Sequence, residues 1–494
     1  MKQETLLNYT LKPSLLKTTG WFLTICFIGM TFIPRSFDDT LFVDGLTYAA
    51  ISRNMAAGKG TFWQPYFADS FWMSYNDRCA FFCEHPPLML GMESLLFRVL
   101  GDTTAVENIY NTIVLAVIIL LIVLVWKKLF KKNKRIKTLA WLPVLYWYAL
   151  RVVWWSVPNN LLDTTMAIFC LLACYFQLHA FSSPKFRNWY WILSGIMVFL
   201  ACLVKGPVGL YPLALPVIYV IVFGKNHLRI AVPGLSITIT AFFVLTGLIL
   251  LYPPANYFLT NYFQGQVVLA LLQKREKVRN DWTAHIYLLK VLITNIIPHL
   301  IITGSLYIIS IYSKLETRIS TASKKVFLLT LFIAISGIFP MLISVKQGDY
   351  YLMPALPFVG LFFAALTVEI LMSIISRFNS IPQILFPALT MVFCIAAGYK
   401  LVHPEKDYMF ETSRKIAEYV PDNSTIYLPK EIFILSEIHA PFQRYNRLSM
   451  TSDLHQTKYL FFDNPDNEVL DSIKKTSAYQ IISIDDHTTL AILK

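Results

Sequence analysis

Long apolar segments follow one another along most of this chain, and they constrain its fold more than any other feature. Residues 112–126, TIVLAVIILLIVLVW, are one example. A helix needs about 20 such residues to cross the hydrocarbon core of a bilayer. The pattern predicts eleven spans, roughly at 18–34, 111–126, 139–157, 161–181, 189–204, 207–223, 230–252, 284–312, 326–345, 350–374 and 383–402.

Composition agrees with a membrane protein and excludes an ordinary soluble enzyme. Of 494 residues, 56% are hydrophobic and only 15% are charged, whereas soluble globular domains carry about 25% charged residues. The first apolar segment, at 21–32, has no small-residue cleavage site after it. It is therefore predicted to be a retained span rather than a signal peptide. The fold class is an all-α polytopic membrane protein.

The net charge of +13 is distributed as membrane orientation requires, so it does not indicate nucleic-acid binding. Basic residues cluster in short loops at 127–137, 185–187, 225–229 and 314–325. The positive-inside rule places these loops in the cytoplasm. Alternating spans then place six segments on the outer face: 35–110, the turn at Pro158, 205–207, 253–283, 346–349 and 403–494.

The C-terminal segment differs in kind from the rest of the chain. Its polarity is ordinary, and its pattern predicts helices at 411–419 and 467–475 with strands at 425–428, 459–462, 479–484 and 489–493. We therefore expect two domains. Residues 1–402 form the transmembrane domain with its outer loop 35–110, and residues 403–494 form a small α/β domain outside the membrane.

An isolated acid stands in the first outer segment, FVDGLTYAAISRN at 42–54. Asp44 precedes good helix sequence, so it is either the N-cap of that helix or a functional carboxylate. Tyr48 follows one helical turn later. Asp163, in PNNLLDTTMA, is a second acid close to the outer face, where a carboxylate is costly unless it faces a cavity or a partner.

Three further motifs carry polar residues on the same face. In CEHPPL the two prolines stiffen the chain and fix where Glu84 and His85 point, as in the wall of an active site. The alternative interpretation is a plain turn that leads into a helix lying on the membrane. Lys205, before Gly-Pro, either meets an anionic ligand or extends to the headgroups. Lys346 and Tyr350, in KQGDYYLMPALP, allow the same two interpretations.

Four segments together resemble a known family: FVDGLTYAAISRNMAAGKG, CEHPPLMLGMESLLFRVLGD, VKGPVGLYPLALP and KQGDYYLMPALP. Their order and spacing are similar to those of multispan GT-C glycosyltransferases that use polyprenyl-phosphate sugars. This family includes protein O-mannosyltransferases and lipid A aminoarabinose transferases. The resemblance covers roughly residues 20–370. The chain departs from the family pattern at Gly45, where relatives have Glu, and at His85, where many have Lys.

The resemblance implies an inverting hexosyl- or pentosyltransferase. It would move a sugar from a polyprenyl-phosphate carrier to a hydroxyl of a lipid, glycan or protein on the outer face of the inner membrane. Asp44 and Asp163 are the implied catalytic carboxylates. The implied substrate contacts are Tyr48, Glu84, His85, Lys205, Lys346 and Tyr350. No Asp-x-Asp motif occurs, in keeping with a donor that carries no nucleotide.

The main alternative function is a transporter or flippase for a lipid-linked saccharide. Transporters place polar residues near the bilayer midplane on broken helices. Here the polar residues crowd one face, which favours chemistry at an interface.

Cysteine spacing predicts no metal site. Seven cysteines are present, and Cys79 and Cys83, in CAFFC, allow two interpretations: a disulfide in an oxidising compartment, or metal ligands together with the adjacent Glu84 and His85. Their spacing fits no zinc pattern. No cofactor is predicted, and a requirement for a divalent cation is left open.

Overall fold

The structure, a computed structural model, is mostly helical. It describes residues 13–37, 41–70, 79–272, 274, 282–315, 319–344, 346–378, 380–405, 407–464 and 467–494. The helices are α1 Pro13–Arg35, α2 Val43–Ala56, α3 Leu88–Leu100, α4 Ala105–Leu129, α5 Lys134–Lys137, α6 Trp141–Tyr148, α7 Arg151–Ser156, α8 Leu162–Ala180, α9 Arg187–Lys205, α10 Leu215–Phe223, α11 Leu228–Leu250, α12 Pro253–Tyr262, α13 Leu269–Leu271, α14 Trp282–His285, α15 Tyr287–Tyr312, α16 Thr321–Ile338, α17 Leu356–Arg377, α18 Ser380–Val402, α19 Tyr408–Ile416, α20 Lys430–Phe433, α21 Ser436–Asn446 and α22 Glu468–Lys474.

Within the described residues, nine helical segments are long and apolar enough to cross a membrane, whereas the sequence predicts eleven spans. Two places account for the difference. The span predicted at 139–157 is divided into the short helices α6 and α7. The spans predicted at 189–204 and 207–223 are joined in one helical segment, Arg187–Phe223.

That joined segment reverses direction at Gly206. The residue adopts φ +79°, a conformation that L side chains rarely take, and a 3₁₀ stretch, Gly206–Ala214, follows it. Gly209 then lies against the backbone of Ala201 and Cys202, where an added Cβ would sit 2.8 Å from each. The 3₁₀ stretch therefore packs back along α9.

The core of the bundle lies around α8, which packs against α4 and α9. Most of its side chains are buried, among them Met166 and Leu171. The outer helices differ: α15 and α18 leave large apolar side chains exposed, such as Ile301 and Ile395. Exposed apolar faces of this kind suit contact with lipid, because lipid tails are as apolar as the side chains that face them.

The C-terminal region contains the predicted strands in one five-stranded sheet. The strands are β3 Thr425–Tyr427, β4 Ser449–Thr451, β5 Tyr459–Phe462, β6 Tyr479–Ser483 and β7 Thr489–Leu493, and a separate hairpin in the first outer segment pairs β1 Gly60–Thr61 with β2 Gln64–Pro65. The order in the sheet is β4-β3-β5-β7-β6. β3 runs parallel to β4 and β5, while β7 is antiparallel to β5 and β6. The sequence pattern misses β4, α20 and α21.

Helix α21 joins this region to the bundle through a buried arginine. The Arg444 Nε donates to Glu107 Oε1 at 2.5 Å, and its Nη1 donates to Asp102 Oδ1 at 2.8 Å. Arg444 and Glu107 are 3% and 1% exposed, respectively. Removal of one member of a buried, hydrogen-bonded pair typically costs about 3–5 kcal/mol, because the other charge is left uncompensated. This contact therefore fixes where the C-terminal region lies.

Glu93 provides a pH-dependent test of the packing beneath α2. Its carboxylate is fully buried, with Asn160 Nδ2 donating to Oε1 at 2.8 Å. Burial, followed by the nearby Glu107 charge, raises the pKa of Glu93 from 4.5 to about 8. The unfolded chain releases this proton above pH 4.5 while the folded chain keeps it until about pH 8. The contribution of buried Glu93 to the free energy of unfolding is thus fully present below pH 4.5. It is lost as the pH rises toward 8.

We expect Glu93→Gln to unfold at a higher temperature than the parent at pH 8 and at nearly the same temperature at pH 5, because glutamine never releases a proton. The gain at pH 8 should be a few kcal/mol, since one pKa unit is worth about 1.4 kcal/mol. Thermal unfolding in detergent measures this. Glu107→Gln is the control of opposite sign, because it removes the buried carboxylate that pairs with Arg444 and leaves only Asp102 to balance that charge. Parallel pH profiles for parent and Glu93→Gln would contradict the assignment.

Candidate functional site

Helix α2 begins at the outer end of the bundle and carries Asp44 in its first turn. The N-cap is Phe42, whose backbone N–H donates to Asn159 Oδ1 at 2.9 Å. Asp44 is therefore not the cap. Its Oδ2 instead accepts a hydrogen bond of 2.8 Å from the hydroxyl of Tyr350, 306 residues away. An acid in the first turn also interacts favourably with the helix dipole.

Gly45, the departure from the family pattern, is explained by a close backbone approach. A Cβ added there would lie 2.1 Å from the carbonyl oxygen of Asn159. Asn160, in the left-handed conformation at φ 53°, donates from Nδ2 to the Gly45 carbonyl at 3.3 Å. The Asn159–Asn160 turn thus lies directly against α2, and any side chain at position 45 would push the two apart.

Asp163 and Lys205 form a buried ion pair. Asp163 lies in the first turn of α8, and Lys205 is the last residue of α9. The Lys205 ammonium donates to Asp163 Oδ2. The Lys205 side chain is 9% exposed, and that of Asp163 is 1% exposed. Asp163 Oδ1 is buried and has no hydrogen-bond partner among the described residues. A lysine buried in this way does not extend to the headgroups, so that alternative is wrong.

Two tyrosines connect this pair to Asp44. The Lys205 Nζ lies 4.0 Å from the ring centroid of Tyr351 and 4.9 Å from that of Tyr350. Both distances are within the range of cation–π attraction. Because the Tyr350 hydroxyl donates to Asp44, one side chain contacts both the cation and the carboxylate. Phe42 and Trp155 pack on the Tyr350 ring, with centroids 5.9 and 6.2 Å away, and hold it in place.

The residues predicted beside Asp44 are also found there. Tyr48 is buried, and its ring lies 6.0 Å from that of His85 in an edge-to-face arrangement. Burial, then the Asp44 carboxylate, raises the pKa of the Tyr48 hydroxyl well above its usual value, with smaller contributions from Asp163 and Glu84. Glu84 is 6% exposed. Tyr48, His85 and Glu84 therefore line the same region as Asp44 and Asp163.

The contacts described for Lys346 do not join it to this cluster. Ser344 Oγ donates to its backbone carbonyl at 3.1 Å, in the segment that leads to Tyr350. Its role in substrate contact stays a prediction. Cys79 and Cys83 form a disulfide just before Glu84. In the described part of the chain, no three His, Cys, Asp or Glu side chains are arranged to hold a metal ion.

Sequence reasoning missed four residues that shape this region: Asn159, Asn160, Tyr262 and Tyr351. The two asparagines, in PNNLLD, are typical of any turn, so nothing in the pattern distinguishes them. Tyr262 approaches the other side of the pair, with its hydroxyl donating to the Lys205 carbonyl at 3.4 Å. A Cβ on Gly206 would sit 1.9 Å from that hydroxyl, so only glycine allows the approach.

An apolar cleft of about 440 Å³ leads away from Gly206 and Tyr262 between α9, α11 and α12. Leu203, Phe242 and Ile249 line it, and Pro86 of the CEHPPL motif borders it. The cleft is thus continuous with the turn that carries Lys205. It can take up an extended apolar group whose polar end lies near the Asp163–Lys205 pair.

Comparisons with known proteins agree with this architecture. The model of the family described as dolichyl-phosphate-mannose-protein mannosyltransferase matches residues 84–252. A search of curated protein sequences found no match.

Among solved structures, ArnT from Cupriavidus metallidurans in the apo state has a TM-score of 0.63 at 15% identity, covering 96% of this chain and 98% of that one. The same protein bound to undecaprenyl phosphate has a TM-score of 0.61 at 14% identity, covering 95% and 97%. The apo oligosaccharyltransferase of Archaeoglobus fulgidus has a TM-score of 0.50 at 11% identity, covering 89% and 64%. The chain therefore has the ArnT-like GT-C membrane fold that its sequence motifs imply.

Proposed function

We propose that this protein is an inverting glycosyltransferase that moves a hexosyl or pentosyl group from a polyprenyl-phosphate carrier to a hydroxyl of a lipid, glycan or protein. One observation carries the proposal. A carboxylate, Asp44, and a buried cation, Lys205, both contact Tyr350. Such a pair supplies the two groups that this reaction needs, a base for the acceptor and a positive charge for the departing phosphate.

The apolar cleft supports a lipid-linked donor. Its lining residues carry few polar atoms, and they include Gly206 and Pro207, which directly follow Lys205. A polyprenyl chain in this cleft would bring its phosphate to the turn at Gly206. One ArnT structure with the same fold was solved bound to undecaprenyl phosphate, a ligand of this chemical class.

The proposed reaction needs no covalent intermediate. The acceptor oxygen attacks the anomeric carbon from the face opposite the phosphate, and the bond between that carbon and the phosphate oxygen breaks. Its electron pair stays on the phosphate, while the acceptor proton passes to the Asp44 carboxylate. Lys205 stabilises the charge that develops on the phosphate. Asp163, paired with Lys205, positions the ammonium rather than acting as a second base.

The remaining predicted residues surround this centre as proposed substrate contacts. Tyr48, Glu84 and His85 form the wall on the α2 side, and aromatic rings of this kind suit the apolar faces of sugars. Tyr350 contacts both charged groups. Lys346, four residues before Tyr350, is proposed to contact the donor or the acceptor.

The site is proposed to face the extracytoplasmic side of the inner membrane. The 35–110 segment, predicted outside, contacts the Asn159 turn and Tyr350, which directly follows the outer segment predicted at 346–349. The Cys79–Cys83 disulfide supports an oxidising compartment.

Ser477→Cys and Thr138→Cys test this orientation, because both residues are exposed. With the native thiols blocked, we expect a membrane-impermeant maleimide to label Cys at 477, in the C-terminal region, from outside intact cells. Cys at 138, directly after the basic loop 127–137, should react only after the membrane is opened. The reverse labelling would contradict the orientation.

The proposed function is tested by comparing the cell envelope with and without the protein. Mass spectrometry of lipids, glycans and proteins should show one acceptor that loses a hexose- or pentose-sized mass when the protein is absent. The polyprenyl-phosphate sugar should accumulate at the same time. An unchanged acceptor profile together with a lipid-linked saccharide trapped on the cytoplasmic side would favour a flippase instead.

A further inference from the structure

A second polar cleft, of about 440 Å³, lies at the opposite end of α2 from Asp44. It is bordered by Arg53 and Lys59 from the end of α2 and its following turn, Arg98 from α3, and Asn423 and Arg447 from the C-terminal region. Arg53 follows Asp44 by nine residues, which corresponds to roughly 13 Å along a helix. This cleft is therefore separate from the candidate catalytic centre.

Positive charge dominates its walls. Four cations border it, whereas Asp102 is the acid among the residues that line it. Asp102 is already engaged: Arg447 Nη2 donates to its Oδ2 at 2.7 Å, and Arg444 donates to its Oδ1. Lys59 donates to the neutral amide oxygen of Asn423 at 2.5 Å. Within the described residues, neither Lys59 nor Arg98 has an ion-pair partner, so their charges are available to a ligand.

The cleft also adjoins an apolar surface. Leu95 and Val99 lie one turn apart on α3, next to Arg98, and they are 58% and 80% exposed. Ile109 and Ile113, one turn apart on the neighbouring α4, are exposed as well. Helix α3 is thus suited to lie at the membrane surface with these side chains in the lipid. A ligand that combines an anionic head with apolar chains matches both parts of this surface.

We propose that the cleft between α2, α3 and the C-terminal region binds the phosphate of an anionic lipid, whose chains lie along the exposed face of α3. The phosphate oxygens would accept charge-assisted hydrogen bonds from Lys59 and Arg98, and the buried Arg53 adds to the field. Two kinds of lipid carry such a phosphate on apolar chains: an anionic phospholipid of the bilayer and a phosphorylated glycolipid acceptor. The site does not depend on the transfer activity.

Native mass spectrometry of the full-length protein in detergent tests the site with dioctanoyl phosphatidylglycerol as the probe. The variant is Lys59→Gln with Arg98→Gln. The matched control is Lys430→Gln with Lys475→Gln, which removes two exposed cations elsewhere in the C-terminal region. We expect the first variant to bind the probe at least ~10-fold more weakly than the parent, because each lost charge-assisted hydrogen bond weakens binding several-fold. The control variant should bind like the parent, and dioctanoylglycerol, which lacks the phosphate, should bind all three proteins alike.

Equal affinity of the parent and the Lys59/Arg98 variant for phosphatidylglycerol would overturn the proposal. An equal loss in the control variant would do the same, since it would show a general effect of surface charge. A short-chain phosphorylated glycolipid then identifies the source by competition. If it displaces phosphatidylglycerol from the parent, the site accepts acceptor-type lipids. If it does not, the site belongs to bilayer phospholipids.

Discussion

Purified Asp44→Asn is expected to turn over at least ~10²-fold more slowly than the parent, with its fold and its lipid binding intact. The loss corresponds to roughly 2.7 kcal/mol of transition-state stabilisation, which is typical for removal of a general base. Asparagine retains an oxygen that accepts the Tyr350 hydrogen bond but cannot take up the acceptor proton. Folding should be preserved, because Asp44 is not the N-cap of α2. Steady-state transfer with reconstituted protein measures the effect.

Asp349→Asn is the matched control for this change. Asp349 also lies at the outer end of the bundle and also accepts a hydrogen bond from a tyrosine hydroxyl, that of Tyr287. The same change from carboxylate to amide there should alter turnover by less than ~3-fold, since a base is not removed. Near-normal transfer by Asp44→Asn would remove Asp44 from the mechanism. Similar losses in both variants would show that the region is merely sensitive to charge.

Lys205→Met is expected to lower kcat by ~10–10³-fold, with a smaller change in the KM for the donor. The phosphate gains negative charge as the sugar leaves, so a cation beside it stabilises the transition state more than the ground state. This variant also leaves Asp163 buried without its partner, which costs about 3–5 kcal/mol of stability. Low activity alone would therefore not separate a chemical role from a folding defect.

The double variant Lys205→Met with Asp163→Asn separates these effects, because it removes both buried charges together. We expect it to recover the thermal stability that Lys205→Met loses, while its kcat stays low. Lys205→Arg keeps the charge but changes its shape and hydrogen bonding, so we expect partial activity. Recovery of kcat in the double variant would show that Lys205 acts only as a structural partner of Asp163.

The all-α class of the transmembrane part was the most predictable feature of the fold, because long apolar segments report directly on it. The orientation inferred from loop charge stays a prediction. The strands of the C-terminal region that were predicted are short runs rich in apolar, β-branched and aromatic residues, such as β5, YLFF. Helix α21 was not predicted, since it contains Pro441 and few apolar residues, and neither was β4, SMT, which has one apolar residue.

The candidate site was predictable as a set of residues but not as a set of contacts. Asp44, Asp163 and Lys205 stand out because a charge in an apolar context is costly and therefore indicates a function or a partner. Their pairing depends on how α2, α8 and α9 pack, which no local pattern encodes. The same limit applies to Arg444 and Glu107, which are 337 residues apart. Gly45 shows the converse: its departure from the family pattern is understood only once the Asn159 carbonyl is seen against α2.

Direct transfer from a defined donor tests the central proposal best. Purified parent and Asp44→Asn proteins in liposomes would be given a panel of labelled polyprenyl-phosphate sugars and, separately, nucleotide sugars, with an envelope extract as the source of acceptors. We predict that the parent releases free polyprenyl phosphate from one donor of the panel and transfers its label to an acceptor. Asp44→Asn should do so at least ~10²-fold more slowly. Transfer from a nucleotide sugar instead, or equal release by the two proteins, would contradict the proposal.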